Sequence, residues 1–233
     1  MLLSSDAGIL FLLRWLHFLA GVTWIGLLYY FNFVQGPFFA ETDAATKSNA
    51  TQKLVPRALW WFRWGAMLTF LSGLAILGMR RASWSDAWGM TILTGAAFGT
   101  LMFLNVWLVI WPKQKVVIAS AVAAAGGGQA DPKAGAAGRR AFLASRTNVV
   151  LSFPMLFFMG AATHLPLDPS RNAGQFGLVL LVVLALLEIN ALTGTAGPTK
   201  KPIETVRGVI ITGFVTTAIV YALAQAVLGP AAM

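Results

Sequence analysis

Residues 98–112 read FGTLMFLNVWLVIWP, and residues 147–166 read TNVVLSFPMLFFMGAATHLP. With its flanking residues, each run is apolar over about 20 residues, the length that a helix needs to cross a bilayer. The residues between them, 113–146, are basic and rich in Ala and Gly. The pattern predicts two membrane helices joined by a loop that is flexible around residues 126–128 and has short helical ends.

The same apolar pattern recurs along the whole chain of 233 residues, of which 58% are hydrophobic and 11% are charged. Six segments have the length and hydropathy of membrane spans. We therefore predict an all-α, polytopic membrane bundle that forms a single integral membrane domain over residues 1–233. The predicted spans are about 8–34, 58–80, 88–112, 147–166, 174–194 and 206–228.

Basic side chains alternate between the two sides of the predicted bundle. The loops after the first, third and fifth spans hold most of them, whereas the opposite side has only Arg80, Arg81 and Arg171. The positive-inside rule then predicts a cytoplasmic basic loop at 113–146 and both termini outside. The net charge of +9 is therefore a signal of membrane orientation, and no nucleic-acid partner is expected.

Cysteine is absent from the chain, and there are only two histidines, His17 and His164. This composition excludes disulfides, iron–sulfur clusters, thiolate zinc sites and covalently attached c-type haem. It also excludes a metal site built from three histidines. Because ionisable groups inside a membrane are costly, the two histidines are the first candidates for function.

The two histidines stand in mirrored surroundings. The first span contains Arg14, His17, Gly21 and Trp24 on one helical face, and the fourth span ends in Gly160-x-x-x-His164. In antiparallel helices each histidine then has a glycine one turn deeper, where a porphyrin needs a surface free of side chains. Histidine is a common axial ligand of haem iron. We therefore predict a haem b whose iron is held by His17 and His164.

The other residues near this predicted haem follow from the same spacing. Arg14 would pair with a haem propionate, and Gly21, Trp24 and Gly160 would line the ring. If the first helix enters the membrane near residue 8, His17 is expected to lie somewhat deeper than His164. Two alternatives stay open: a plain interhelical hydrogen bond from either histidine, and a copper site formed by His164 with Met155 and Met159, which more simply pack in the core.

The remaining polar groups in the spans are predicted to be structural. Asn105 and Asn148 are expected to bond neighbouring helices or loop backbone, and Gly95 with Gly99 predicts a close helix–helix contact. Glu188 and Asn190 fit either a proton path or a polar contact at the cytoplasmic side, and the contact is the simpler interpretation.

Several motifs together resemble the membrane domain of the bacterial membrane-bound urate oxidases (urate hydroxylases). They are in order along residues 10–166, whereas the last two spans match only as apolar segments. The motifs are Leu13-Arg14-Trp15-Leu16-His17, Trp24-Ile25-Gly26, Pro56, Trp61-Phe62-Arg63-Trp64, Ser72-Gly73, Gly99-Thr-x-Met102-x-x-Asn105-Val-x-x-Val109-Ile-x-Pro112-x-Gln114-Lys115, Asp131-Pro132, Asn148, Pro154-x-Leu-Phe-x-Met159 and His164-x-Pro166.

The resemblance implies a multi-pass protein of the bacterial inner membrane that takes part in urate oxidation. In that family a cytochrome c domain commonly follows the membrane domain, but no Cys-x-x-Cys-His follows here. Electrons would therefore pass to a separate c-type cytochrome or to quinone. The family also has a His-Asn-Asn-Tyr run where this chain has Thr147–Val150, so the substrate and the catalytic residues stay undefined.

The sequence is compatible with three classes of function. The first is a membrane haem b oxidoreductase or electron-transfer protein, and the alternative is a non-catalytic membrane subunit of a larger respiratory assembly. A transporter ranks last, because matching pairs of broken helices are missing from the sequence.

Overall fold

The structure is a computed structural model that describes residues 3–228, and those residues form six long helices without any strand. All six are long and apolar enough to cross a membrane, which confirms the predicted all-α polytopic bundle. A single helical turn, Lys201–Glu204, precedes the last helix. The long helices are α1 Asp6–Glu41, α2 Ala44–Met79, α3 Ala87–Ala125, α4 Ala134–His164, α5 Ala173–Leu192 and α6 Val206–Leu228.

The helices are longer than the predicted spans. α1 to α4 have 36, 36, 39 and 31 residues, or about 47–59 Å at 1.5 Å per residue, whereas the hydrocarbon core is about 30 Å thick. Their ends therefore extend beyond the bilayer core. Aspartates cap the N-termini of α2 and α3: the Asp43 side chain accepts hydrogen bonds from the backbone N–H groups of Ala45 and Thr46, and the Asp86 side chain accepts one from Gly89.

The predicted loop at 113–146 is wrong in its extent. α3 continues to Ala125 and α4 begins at Ala134, so the connection itself is only residues 126–133. Alanine is the best helix former, and the helical flanks also bury side chains, with Leu143 and Ala144 fully enclosed. Tertiary packing therefore extends the short helical ends that the sequence suggested.

Helices that follow one another along the chain run antiparallel, and several of them pack closely at small residues. A Cβ on Gly65 of α2 would lie 3.2 Å from the backbone nitrogen of Trp24 in α1. A Cβ on Gly95 of α3 would lie 3.1 Å from the backbone carbonyl oxygen of Met155 in α4. The second contact confirms the close approach predicted for Gly95. Met155 also packs against Gly99 of α3: a Cβ built on Gly99 would lie 3.6 Å from Met155 Cγ.

α4 is the central helix of the bundle. In its most apolar stretch 67% of the residues are buried within the protein, compared with 11% in α1. The other helices expose large apolar side chains, as expected where lipid replaces water. These include Phe18, Val22, Leu108, Leu178, Leu181 and Phe214.

Two short π-helical segments interrupt the regular helices. Tyr30–Gln35 lies within α1 and Asn105–Ile110 within α3. A π turn adds one residue to the ladder of backbone hydrogen bonds, so it rotates the following side chains about the helix axis. Such segments often occur at functional sites.

The antiparallel order gives the bundle two ends, which we name by their residues. The histidine end contains His164, the last residue of α4, together with the starts of α1, α3 and α5. The basic end contains the α3–α4 connection and the α5–α6 connection. An even number of crossings places both ends of the described chain at the histidine end, and the prediction that this side faces outward rests on the basic residues alone.

Candidate functional site

His17 lies on the face of α1 that packs against α2. Its Nδ1 is 3.1 Å from Ser72 Oγ, and a Cβ on Gly73 would lie 3.2 Å from His17 Cε1. The ring is therefore held by its Nδ1–Cε1 edge against the Ser72-Gly73 pair, two residues that the sequence placed in the family motifs without assigning them a contact.

The hydrogen bonds of Ser72 define the tautomer of this imidazole. The Ser72 hydroxyl donates to the carbonyl oxygens of Leu68 (2.6 Å) and Thr69 (3.1 Å). Because its proton is used there, Ser72 Oγ accepts from His17, so Nδ1 carries the ring hydrogen. Nε2 is then the ring atom with the free lone pair, and histidines that bind metals are commonly oriented through the other nitrogen in this way.

His164 is exposed at the end of α4. Its depth relative to His17 follows from the contact between Tyr29 Oη of α1 and Ser152 Oγ of α4, which are 2.9 Å apart. His17 is twelve residues before Tyr29 on α1, and His164 is twelve residues after Ser152 on α4, which is about 18 Å along each helix. The hydrogen bond from Asn32 Nδ2 of α1 to Ser145 Oγ of α4 gives a different offset, with His17 fifteen residues from it and His164 nineteen. By that contact His17 is the deeper of the two by four residues, or about 6 Å. The expected greater depth of His17 therefore stays a prediction.

The glycines beside the two histidines have different surroundings. A Cβ on Gly160 would find no atom within 4 Å, whereas one on Gly21 would lie 3.9 Å from a Thr69 methyl group of α2. The surface one turn from His164 is therefore open, as a flat ring beside it requires. Gly21 instead lies over α2, so its face belongs to the α1–α2 contact.

The other two predicted residues of this site have contrasting exposure. Arg14 is exposed one turn from His17, so its guanidinium is free to reach an anionic group. Trp24 is 3% exposed, and its indole Nε1 is buried without a hydrogen-bond partner. It is enclosed within the bundle and does not border the open surface at Gly160.

A buried polar network joins three helices nearer the basic end. Asn105 Nδ2 donates to Asn148 Oδ1 and to Glu188 Oε2, both at 3.0 Å, and Asn148 Nδ2 donates to the Met102 carbonyl at 3.0 Å. These bonds confirm the predicted interhelical role of Asn105 and Asn148. They also show that Glu188 of α5 is a partner in this network, whereas Asn190 accepts from Lys200 Nζ (2.8 Å) in the α5–α6 connection.

A cavity of about 150 Å³, lined by apolar side chains and by the amides of Asn32, Gln35 and Gln114, lies beside the two π-helical segments. Asn32 Nδ2 donates to the Leu28 carbonyl and to Ser145 Oγ, both at 2.8 Å, while the side-chain oxygen Oε1 of Gln35 is buried and has no partner. The sequence did not predict this cavity, because the helical register that brings these amides together is set by the π turns. Its lining residues are uncharged: Phe31, Asn32, Gln35, Gly36, Val55, Leu59, Phe62, Ile110, Gln114, Ala141, Phe142 and Ser145.

Within the described residues, no group of three or more His, Cys, Asp or Glu side chains could hold a metal ion. The iron ligands predicted from the sequence are the two histidines, which would act as axial ligands of a bound porphyrin. Two features are compatible with that group: the oriented imidazole of His17 and the open surface at Gly160.

These features define the class of the protein as a multi-pass, all-helical integral membrane protein with polar groups buried between its helices. Comparison with known families then identifies the family: the sequence model described as "Urate oxidase N-terminal" matches residues 80–222. This is more than half of the chain, so the chain belongs to that family, which confirms the resemblance in the motifs.

The matched region extends from the end of α2 into α6, so it includes Asn105, Asn148, Glu188 and His164 but not His17. Neither a curated protein nor a solved structure matches the chain.

Proposed function

We propose that this chain is a membrane redox component that binds haem b between His17 and His164 and passes electrons to a separate c-type cytochrome or to quinone. The observation that carries the proposal is the His17 imidazole, which is hydrogen-bonded through Nδ1 and leaves Nε2 available as a ligand. Family membership supports an oxidative role. The expected location is a bacterial inner membrane.

The roles of the individual side chains follow from their positions. Ser72 orients the His17 ring and keeps its hydrogen on Nδ1. Gly160 keeps the neighbouring surface free of side chains, and Arg14 would pair with a propionate. A bound haem would supply a one-electron Fe(III)/Fe(II) couple.

The alternative is a non-catalytic membrane subunit of a respiratory assembly. Thr147 and Val150, which stand where the family resemblance expects histidine and tyrosine, are 4% and 1% exposed in the core of α4. Valine has no polar side-chain atom, and the threonine hydroxyl does not titrate near neutral pH as an imidazole does, so this observation favours a structural role for that part of α4.

The test is an absorption spectrum of the purified chain beside its His17→Ala and His164→Ala variants. The proposal expects a haem Soret band in the parent protein and its loss or shift in both variants. A third variant, Asn49→Ala, changes an exposed polar residue on α2 and should leave the band unchanged. An unchanged spectrum in both histidine variants would exclude this ligation and favour the alternative.

A further inference from the structure

Four basic side chains meet at the basic end of the bundle, where α4 approaches the α5–α6 connection. We call Arg139, Arg140, Arg146 and Lys200 the basic cluster. Arg139 Nη1 donates to Glu204 Oε2 (3.0 Å) and Nη2 to Glu204 Oε1, while Arg140 Nη1 donates to the Ala191 carbonyl (2.7 Å). Three of the four come from α4: Arg139 bonds the α5–α6 connection at Glu204, Arg140 bonds the last turn of α5, and Arg146 is close enough to Glu204 to interact with it electrostatically.

The cluster contains more positive charge than its surroundings balance. Glu204 is the carboxylate in direct contact with it, and that carboxylate is already engaged by Arg139. Lys200 donates to the neutral amide oxygen of Asn190. The next acidic group is Glu188, one turn before Ala191 on α5, and it accepts from Asn105. Four cations therefore face at most two anions.

Arg146 shows most clearly that an anionic partner is missing. It is 4% exposed, and its Nε and Nη1 atoms are buried without hydrogen-bond partners. Its guanidinium lies 5.1 Å from the Phe142 ring, which Arg139 also faces at 5.3 Å. A guanidinium does not lose its proton in proteins, and an unpaired buried charge is costly.

Lys200 gives an independent sign of the same excess. It is 3% exposed, and burial, followed by repulsion from Arg140 and Arg139, holds the pKa of its ammonium group below the usual value. Neighbouring positive charges thus act on one another without full compensation by carboxylates.

We propose that the basic cluster binds the phosphate of an anionic phospholipid headgroup, with Arg146 as the central ligand. The planar fork of an arginine matches phosphate oxygens, and basic pockets at the ends of membrane helices bind anionic headgroups. Leu186 and Ile189, on the turns of α5 before this end, are 63% and 56% exposed. They provide an apolar surface for acyl chains beside the cluster.

The experiment measures thermal unfolding and native mass spectra of the full chain in neutral detergent. The added probes are dioleoyl phosphatidylglycerol, dioleoyl phosphatidylcholine or inorganic phosphate. The proposal expects the anionic lipid alone to raise Tm and to be retained as a bound molecule. Equal stabilisation by phosphatidylcholine, or by free phosphate at the same concentration, would overturn the assignment to an anionic lipid.

Arg146→Met tests the central ligand. Because each charge-assisted hydrogen bond contributes about 1.5–3 kcal/mol, affinity for the anionic lipid should fall about tenfold or more. Without lipid, Tm should stay the same or rise, since an apolar side chain of similar length replaces an unpaired buried charge. If Arg146→Met keeps the full rise in Tm with phosphatidylglycerol, Arg146 is not a ligand of the lipid and the proposal is overturned.

Two further variants complete the test. Arg140→Gln removes a partly exposed member of the cluster and should also weaken binding of the anionic lipid. Lys113→Gln makes the same charge change at an exposed position of α3 on the same side of the bundle, and it should bind the lipid as the parent protein does. Equal losses in Lys113→Gln and Arg140→Gln would show a general surface-charge effect and contradict a defined site.

Discussion

The histidine end and the basic end of this bundle hold their polar groups in different ways. At the histidine end, Arg14 and His164 are exposed and Gly160 faces open space, so few contacts within the protein define that site. Nearer the basic end, Asn105 and Asn148 are fully enclosed and bonded to each other.

The membrane-spanning bundle therefore contains two kinds of polar group. A polar group whose bonds are completed within the protein stabilises the arrangement of the helices. A polar group left open toward its surroundings is available to a ligand, and in a membrane its cost suggests that a ligand completes it. Variants at the histidine end should therefore change cofactor content but not stability, and variants in the amide network should do the reverse.

Gly160→Leu is expected to give the largest effect on cofactor content. A side chain there would occupy the open surface beside His164, at a steric cost of about 1–3 kcal/mol. Haem affinity, measured by titration and absorbance, should fall roughly 5- to 150-fold. The control is Gly26→Leu, since a Cβ on Gly26 also meets no atom within 4 Å. Equal haem binding by both variants would argue against a ring beside Gly160.

Ser72→Ala tests the orientation of the other ligand. The variant leaves His17 Nδ1 without its hydrogen-bond partner, and loss of such partners lowers metal affinity about 10- to 100-fold. Ser72→Thr keeps a hydroxyl and should bind haem more tightly than Ser72→Ala. If the two variants bind haem equally, the hydroxyl has no role in orienting the ring.

Asn148→Ala should change stability and leave haem binding intact. It removes the acceptor for Asn105 Nδ2 and the donor to the Met102 carbonyl, and unsatisfied buried groups cost about 1–3 kcal/mol. The free energy of unfolding in mixed micelles should fall by about that amount. Asn49→Ala, at an exposed site on α2, is the control. If Asn148→Ala loses haem as well as stability, the amide network and the histidine end depend on each other, which would contradict their separate roles.

The Arg139–Glu204 pair should give the smallest effect, and it should depend on pH. The hydrogen bond from Arg139 lowers the pKa of Glu204 below its ordinary value of 4.5. Its stabilisation is therefore full above pH 4.5 and is lost as pH falls through the lower folded value. Exposed pairs contribute about 0–1 kcal/mol. Thermal unfolding from pH 6 to pH 3 should show this loss, and Glu204→Gln should remove that part of the pH dependence.

Much of the fold was predictable because hydropathy reports directly on membrane spans. All six helices were predicted, and so was the close contact at Gly95. The lengths of α3 and α4 were not, because their helical ends depend on packing around residues such as Leu143 as well as on local composition. Span prediction measures apolar length, whereas a helix continues as long as its contacts and hydrogen bonds favour it.

The candidate site was predictable only in part. His17 and His164 were found because ionisable residues are rare in spans. The hydrogen bond from His17 Nδ1 to Ser72 Oγ and the unpaired side-chain oxygen of Gln35 were not predicted. Amides and hydroxyls are common in helices, and only tertiary structure shows which of them meet. The π turns that define the cavity have no signal in this single sequence.

The central claim is that this membrane domain binds haem through its two histidines. The most direct measurement is the oxidised and dithionite-reduced spectrum of the purified chain, quantified as pyridine haemochrome per mole of protein. The account predicts a b-type spectrum with about one haem per chain, consistent with two axial histidines. A colourless protein that takes up no haem when haem is supplied would contradict it.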